Sequence, residues 1–308
     1  MSNKSIHLTR LAPTPSGYLH LGNIASFAVT AYLARQSGAR ILLRIDDGDA
    51  ERTREEYLDD IFDTLRFLGI PWDLGPADTK EFKRNYSQLA RLPLYQDALQ
   101  KLAAAQQLFA CNCSRSLLSQ YPLEKGYPGF CLKKPLSLDA EDVAWRLSAL
   151  PQQELILMRF AGTGSGTGFH SVEEVLHYPD AMRQFVIRKK DGFPAYQLCS
   201  LIDDLTYGVD LIVRGEDLLD STAAQLFLAD VLGESRFRET VFLHHPLITD
   251  DSGEKLSKSA GATSIKSFRE SGSTAADVYR AITAAYGITE APVNWEELAG
   301  LLLERWLG

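Results

Sequence analysis

The apolar positions of the chain repeat with two different periods, which predicts an alternation of strands and helices. Residues 6–11 are an apolar run broken by His7 and Thr9, which is typical of a short strand. After a loop with Pro and Gly, a spacing of three and four residues begins, which predicts a helix ending at Gly38. Its apolar positions are Ile24, Phe27, Ala28, Ala31 and Tyr32. Residues 41–45 predict the next strand.

The same two periods continue to the end of the chain. Thr53 and Glu56 have the spacing of a capping box, which places a helix start there. Helical patterns also cover residues 86–107, 221–232, 274–286 and 295–307, and strand patterns cover residues 154–160, 211–213 and 242–248. The Gly-rich residues 162–168 lack the Lys-Ser/Thr of a phosphate loop and predict a flexible hairpin or connector. Strands alternating with helices indicate an α/β protein with a parallel sheet.

Two distant stretches carry residues suited to binding phosphate. The first, residues 10–23, places His20 and Gly22 where the first helix begins, and helix N-termini attract anions through their unpaired N–H groups. The second, residues 250–259, holds Lys255 and Lys258 among serines and a glycine, which is typical of a mobile cationic loop. Taken singly, each stretch is also compatible with an ordinary turn or a solvated charged loop.

Together the two stretches resemble the signature pair of class I aminoacyl-tRNA synthetases. His20-Leu-Gly22-Asn23 is similar to the first motif of that family, His-Ile-Gly-His, and Lys255-Leu-Ser-Lys258-Ser259 is similar to the second, Lys-Met-Ser-Lys-Ser. The surrounding pattern, Arg-x-Ala-Pro-x-Pro-x-Gly-x-Leu-His-x-Gly from Arg10 onwards, is that of the glutamyl branch.

The resemblance implies a Rossmann-like, doubly wound parallel α/β sheet interrupted by an inserted subdomain. We place the first half of the nucleotide-binding fold in residues 1–110 and the inserted acceptor-binding subdomain, with a zinc site, in residues 111–190. The second half, with the lysine loop, occupies residues 191–260. Residues 261–308 then form a short C-terminal helical segment, and we expect no anticodon-binding domain.

The resemblance also implies ATP-dependent activation of L-glutamate to glutamyl-adenylate, followed by transfer to RNA. The expected ATP-binding residues are His20, Gly22, Asn23, Lys255 and Lys258, with Mg²⁺ accompanying the nucleotide. His20 and Lys258 are the expected catalytic residues, because the reaction builds negative charge on the α-phosphate and on the departing pyrophosphate. Asn23 stands where the motif usually has a second histidine, and it can still form hydrogen bonds.

Glutamate needs cations for its carboxylate and an anion for its ammonium group. By their positions in the motifs, Arg10 and Arg214 are the cations and Asp46 is the anion, while Thr14 and Tyr196 add polar contacts. The family usually has glutamate at the position of Asp46. Aspartate is one methylene shorter than glutamate, which moves its carboxylate back by roughly 1 Å or more. We therefore expect a tighter pocket or a water that bridges the gap.

Three cysteines lie close together in the sequence. Cys111, Cys113 and Cys131 could bind zinc as thiolates, but a structural zinc site needs four ligands. The pattern resembles the zinc site of glutamyl-queuosine tRNA(Asp) synthetases and of some glutamyl-tRNA synthetases, in which a tyrosine four residues before the last cysteine completes the set, and Tyr127 has that spacing. Free thiols are the alternative. Cys199, far along the chain, is expected to be a buried thiol.

Composition favours a cytoplasmic enzyme. The chain has 308 residues, of which 45% are hydrophobic and 23% charged, and its formal net charge is −8. It shows no apolar run near the roughly 18 residues of a membrane span and no signal-peptide pattern at its N-terminus. A negative chain can bind RNA only through local positive charge. The resemblance implies ATP, L-glutamate and tRNA as partners, and we expect a monomer without a membrane.

The size of the chain is similar to that of glutamyl-queuosine tRNA(Asp) synthetases. The resemblance implies transfer of glutamate to queuosine-34 in the anticodon of tRNA(Asp), with the anticodon stem-loop offered to the active site. Two alternatives stay open. One is a short glutamyl-tRNA synthetase that charges a tRNA 3′ end, and the other is a non-catalytic relative that only binds RNA or an amino acid.

Overall fold

The computed structural model describes residues 2–49, 51–150, 154–163, 169–248 and 264–308. The strands are β1 (Ser2–Lys4), β2 (Leu8–Leu11), β3 (Arg40–Leu43), β4 (Leu108–Cys111), β5 (Ala144–Leu147), β6 (Glu154–Thr163), β7 (Phe169–His177), β8 (Val186–Arg188), β9 (Leu211–Gly215) and β10 (Val241–His245). The α-helices are α1 (Leu21–Ser37), α2 (Glu55–Phe67), α3 (Thr79–Glu81), α4 (Leu92–Ala104), α5 (Arg115–Leu118), α6 (Tyr196–Tyr207), α7 (Leu219–Leu232), α8 (Ile265–Glu270), α9 (Ala275–Ala285) and α10 (Trp295–Leu307).

Most described strands belong to one mixed sheet. Within the described ranges, seven strands pair in the order β1-β7-β6-β10-β9-β2-β3. The five from β6 to β3 run parallel, whereas β7 and β1 are antiparallel to their neighbours. A second, antiparallel sheet has the order β4-β5-β8. The parallel core confirms the predicted α/β class.

Helices cover both faces of the parallel strands. Ile41 and Leu43 belong to an apolar cluster with α1, α2, α9 and α10, whereas Leu42 between them belongs to a second cluster with α4, α6 and α7. Successive strand residues point to opposite faces, so each parallel strand contributes to both clusters. The sheet is therefore doubly wound, as predicted.

Two helix predictions were wrong in detail. α2 begins after Arg54, not at a capping box, because Thr53 Oγ1 donates to the carbonyl of Asp49 (3.0 Å) and Glu56 accepts from the hydroxyl of Tyr18 (3.2 Å). The helix predicted over residues 86–107 is divided into a π turn (Phe82–Tyr86), a 3₁₀ turn (Gln88–Arg91) and α4. Pro93 lies at the start of α4, where its missing N–H is tolerated but cannot continue an earlier helix.

The segment predicted as an insert contributes to both sheets. Its strands β5 and β8 complete the small sheet with β4, which ends at the predicted boundary, whereas its hairpin of β6 and β7 joins the main sheet through the pairing of β6 with β10. The division of the chain at residues 110, 190 and 260 stays a proposal. Among the helices that the structure describes, none has both the length and the apolar character required to cross a membrane.

Candidate active site

One cavity contains all the predicted ATP and glutamate residues that the structure describes. It has a volume of about 510 Å³ and lies where β2, β3 and β9 end, the edge at which parallel sheets bind ligands. The predicted residues that line it are Arg10, Thr14, His20, Gly22, Asn23, Asp46, Tyr196 and Arg214. Lys255 and Lys258 lie outside the described residues, so their positions stay predictions.

The start of α1 forms one end of this cavity. His20 is the N-cap residue, and its backbone N–H donates to Asn23 Oδ1 (3.1 Å), so Asn23 holds the turn in place. Gly22 lies beneath the imidazole, because a Cβ there would lie 3.2 Å from His20 Cε1. The start of α1 and the imidazole of His20 therefore face the same space, and the positive end of the helix dipole there suits an anion.

Both flanks of the lysine segment lie at the cavity or beside the start of α1. Ile248, which precedes it, lines the cavity. Ser264, which follows it, pairs through its backbone with His20, and the next residue, Ile265, donates to the carbonyl of Leu19 (2.8 Å). The described chain therefore stops at the cavity before the lysine segment and resumes beside the helix start after it.

A buried chain of ion pairs connects the cavity wall to α6. Arg44 donates to both carboxylate oxygens of Asp46 (2.8 and 2.9 Å) and through Nη1 to Asp204 Oδ1 (2.7 Å). Arg10 Nε also donates to Asp204 Oδ1 (3.3 Å). Burial raises the pKa of Asp46, although Arg44 opposes the shift. Asp46 thus lines the cavity with both oxygens engaged by Arg44, a partner that the sequence did not indicate.

Arg214 has no such partner among the residues that the structure describes. It is 4% exposed, and its Nη2 donates to Thr222 Oγ1 (2.6 Å) and Gln225 Oε1 (3.0 Å), which are uncharged. Its Nε and Nη1 are buried without a hydrogen-bond partner among the described residues. Burial lowers the pKa of Arg214, and the positive charge of Arg10 lowers it further. A buried cation without a carboxylate is unfavourable until an anion arrives.

The buried arginines of this site differ in their partners. Arg10 and Arg44 are matched by Asp46 and Asp204, whereas Arg214 has no carboxylate ion-pair partner in the described part of the chain. Asp217 also lines the cavity, so the difference lies in the pairing of Arg214 and not in the sum of the charges. A carboxylate on a ligand would give Arg214 the ion-pair partner that the described residues do not supply.

The three predicted cysteine ligands are close together and buried. The Sγ atoms of Cys111, Cys113 and Cys131 all lie within 4.8 Å of one another. Tyr127 joins them, with its hydroxyl 3.4 Å from Cys111 Sγ and 3.6 Å from Cys113 Sγ, and Arg146 lies over its ring at 4.0 Å. Burial, and then the hydrogen bond with Cys111, raise the pKa of Tyr127. The donor set fits a soft tetrahedral cation such as zinc. Cys199 is buried elsewhere, in α6.

His244 supports the Arg214 side of the cavity and should make stability depend on pH. Its Nε2 lies 2.7 Å from Thr222 Oγ1, and burial, followed by the charge of Arg214, lowers the pKa of His244 to about 3. The unfolded chain takes up a proton below pH about 6.5, whereas the folded chain does so only near pH 3, so stability is lost as pH falls through this window.

Between pH 7 and pH 5, we expect the free energy of unfolding of the unmodified protein to fall by about 2 kcal/mol more than that of the His244→Gln variant. Urea unfolding of both at each pH measures the difference. His245, whose pKa burial also lowers, is present in both proteins and cancels. Equal pH dependence in the two proteins would disprove the assignment to His244.

Several site residues were not predicted as such. They are Arg44, Asp204, Thr222, Gln225 and His244. A signal was present for some of them, because Thr222 and Gln225 are polar positions three apart among the buried residues of α7, and Asp204 is a carboxylate in the buried part of α6. Polar residues on buried faces need partners, but the sequence does not name those partners.

The protein family described as tRNA synthetases class I (E and Q), catalytic domain, matches residues 7–292. The chain belongs to this family. It therefore carries the catalytic domain of a class I aminoacyl-tRNA synthetase, which agrees with the doubly wound sheet and with the cavity at its edge.

Individual relatives are of two kinds. The chain is 35% identical to the glutamyl-Q tRNA(Asp) synthetase of Synechococcus sp. (strain CC9605), over 94% of the chain and 87% of that relative. It is 34% identical to the glutamate–tRNA ligase of Anaeromyxobacter sp. (strain Fw109-5), over 85% of the chain but 54% of that ligase. The glutamate-tRNA synthetase structure from Elizabethkingia anophelis shares the fold, with a TM-score of 0.62 and 23% identity over 84% of the chain and 53% of its own.

Proposed function

We propose that this class I synthetase activates L-glutamate with ATP to glutamyl-adenylate and transfers the glutamyl group to queuosine-34 of tRNA(Asp). The observation that carries the choice of amino acid is Arg214, a buried cation without a carboxylate partner in the described structure. The side chain of glutamate offers Arg214 a carboxylate, whereas the neutral side chain of glutamine leaves the charge of Arg214 uncompensated.

The cavity can position glutamate along its length. Arg10 and Arg214 offer donors to carboxylates, and Asp46 offers its carboxylate to the ammonium group. Because Arg44 already holds both oxygens of Asp46, the shorter side chain is fixed against the wall and the ammonium group joins an existing ion pair. Thr14 and the hydroxyl of Tyr196 line the same space.

Activation places the glutamate carboxylate in line with the α-phosphate of ATP. His20 and the N–H groups at the start of α1 would stabilise the charge that builds on the phosphoryl oxygens, and Lys258 would neutralise the departing pyrophosphate. The flanks at Ile248 and Ser264 support this role for Lys255 and Lys258, because both lie beside His20 or the cavity. Mg²⁺ bound to the phosphates would share the charge.

The acceptor is proposed from the two kinds of relative. A glutamyl-Q tRNA(Asp) synthetase matches 94% of the chain at 35% identity, and a glutamate–tRNA ligase matches 85% of it at 34% identity. Incubation with labelled glutamate, ATP and either queuosine-bearing or unmodified tRNA(Asp) tests it. We expect label only on the queuosine-bearing tRNA, mapped to the anticodon by nuclease digestion.

The similarity to glutamate–tRNA ligases makes 3′-end charging the second candidate function. Equal labelling of both tRNAs at the 3′ terminus would establish it and reject the queuosine acceptor. ATP–pyrophosphate exchange with glutamate tests catalysis separately from the acceptor. A protein that binds RNA or glutamate without exchange, even when tRNA is added, would instead be a non-catalytic binding protein.

We also propose that Cys111, Cys113, Cys131 and Tyr127 bind one zinc ion. Protein purified without chelator should contain about one zinc per chain by mass spectrometry, because three thiolates and a phenolate form a closed structural site. Cobalt substitution should give the visible absorption of a tetrahedral thiolate site. Cys113→Ser should lose the metal and lower the melting temperature, whereas Cys199→Ser, remote from the cluster, should retain it. Retention of full zinc by Cys113→Ser would exclude this ligand set.

A further inference from the structure

Three uncharged side chains enclose Arg214 from one side. Thr222 and Gln225 lie one turn apart on α7 and both accept from Arg214 Nη2. His244 pairs with Arg214 across the β9–β10 ladder and contacts Thr222 Oγ1 at 2.7 Å. Thr222 and Gln225 are completely buried. The orientation of the guanidinium group is therefore set by neutral acceptors.

Other buried arginines nearby, unlike Arg214, have carboxylate partners. Arg10 and Arg44 share Asp204, and Arg91 donates to both oxygens of Asp203 at 2.7 and 2.9 Å. The fold thus provides carboxylates for arginines at neighbouring positions but provides an amide, Gln225, for Arg214. An amide and a carboxylate have the same shape, so space does not account for the difference. The distinction between the two groups is charge.

We propose that Gln225, Thr222 and His244 form a neutral clamp that determines amino-acid selection, holding Arg214 oriented while leaving its charge for the substrate. Gln225 is the specificity-determining residue of the clamp, and Thr222 and His244 are positioning residues. The inference rests on the proposed function, since the ligand whose charge is selected is the glutamate side chain.

If the clamp acts through charge, replacing Gln225 by glutamate, which has the same shape, should weaken glutamate binding. In Gln225→Glu, a carboxylate would lie at the position of Gln225 Oε1, 3.0 Å from Arg214 Nη2, and would neutralise the cation that the substrate needs. We expect the affinity for glutamate to fall about 100-fold. The preference for glutamate over glutamine should fall with it, and the KM for ATP should not change.

The stability of Gln225→Glu separates this effect from structural damage. A carboxylate next to a buried uncompensated arginine should keep or raise the melting temperature, whereas a damaged site would lower it. Gln107→Glu, before β4 and away from the cavity, is the charge-matched control and should behave like the unmodified protein. Thr222→Val should raise the KM for glutamate about 10-fold through lost orientation, and Thr222→Ser should restore it.

Binding of L-glutamate and L-glutamine by calorimetry, alongside glutamate-dependent ATP–pyrophosphate exchange, measures these effects. If Gln225→Glu binds glutamate as tightly as the unmodified protein, or if Gln107→Glu loses as much affinity, the clamp is refuted. Should Gln225→Glu fail to fold, Thr222→Val decides: an unchanged KM for glutamate refutes the clamp. Unmodified protein that binds glutamate but shows no exchange contradicts the proposed function, while its binding constants still test the clamp.

Discussion

Replacement of Arg214 by Met is expected to lower kcat/KM for glutamate in ATP–pyrophosphate exchange by about 10³-fold without reducing the free energy of unfolding. The loss follows from removing the donor to a buried carboxylate, which is worth about 2–5 kcal/mol. The unchanged or increased stability follows because Arg214 is buried without a carboxylate partner in the described structure, so a similar apolar side chain removes an unfavourable charge.

Arg91→Met is the matched comparison for this variant. Arg91 is also a buried arginine, but it donates to both oxygens of Asp203. Its replacement leaves that carboxylate buried and unpaired, so the free energy of unfolding should fall by about 3–5 kcal/mol. Exchange kinetics and urea unfolding of the two variants check the contrast. Equal destabilisation of both, or normal glutamate kinetics in Arg214→Met, would show that Arg214 is an ordinary structural residue.

The second large effect is expected at Asp204. Asp204→Asn should lower the free energy of unfolding by about 3–5 kcal/mol, because the same oxygen accepts from Arg10 and Arg44 and both cations would lose their charge partner on α6. Arg44 would retain Asp46, whereas Arg10 would have no carboxylate ion-pair partner among the described residues.

Chemical denaturation measures the Asp204→Asn effect. The control is Asp230→Asn, since Asp230 pairs with the exposed Arg238 and a surface ion pair contributes at most about 1 kcal/mol. A loss at Asp204 no greater than the loss at Asp230 would mean that the buried chain of ion pairs does not stabilise the fold. Glutamate binding should also weaken in Asp204→Asn, because Arg10 loses its fixed position.

The order and type of the main elements were accessible from local patterns. The helical spacing before Gly38 predicted α1, and the predicted range 295–307 is the observed α10. These signals are local, because apolar periodicity and a left-handed glycine at a helix end act within a few residues. The predicted start of α2 was wrong because its two capping residues form hydrogen bonds with Tyr18 and Asp49 instead. The predicted helix before α4 was wrong because a proline lies at the start of α4.

In the candidate site, too, local sequence signals predicted some features and could not predict others. The residue types and motifs were enough to select Arg10, His20, Asp46 and Arg214, which the fold brings to one cavity, and to select the three cysteines. They could not show that Arg44 holds both oxygens of Asp46, or that Asp204, 160 residues beyond Arg44, is its second partner. Such pairings depend on how helices pack on the sheet.

By itself, the sequence determined the class of fold and its reaction family, and it selected the charged residues that we propose for the substrate. Only the tertiary structure decided which of those charges were already neutralised. Ion pairs form between groups a few ångströms apart, whatever their separation along the chain. The packing of α6 gives Arg10 and Arg44 a carboxylate, whereas the packing of α7 gives Arg214 only neutral acceptors, and the charge left over is what the structure offers to a ligand.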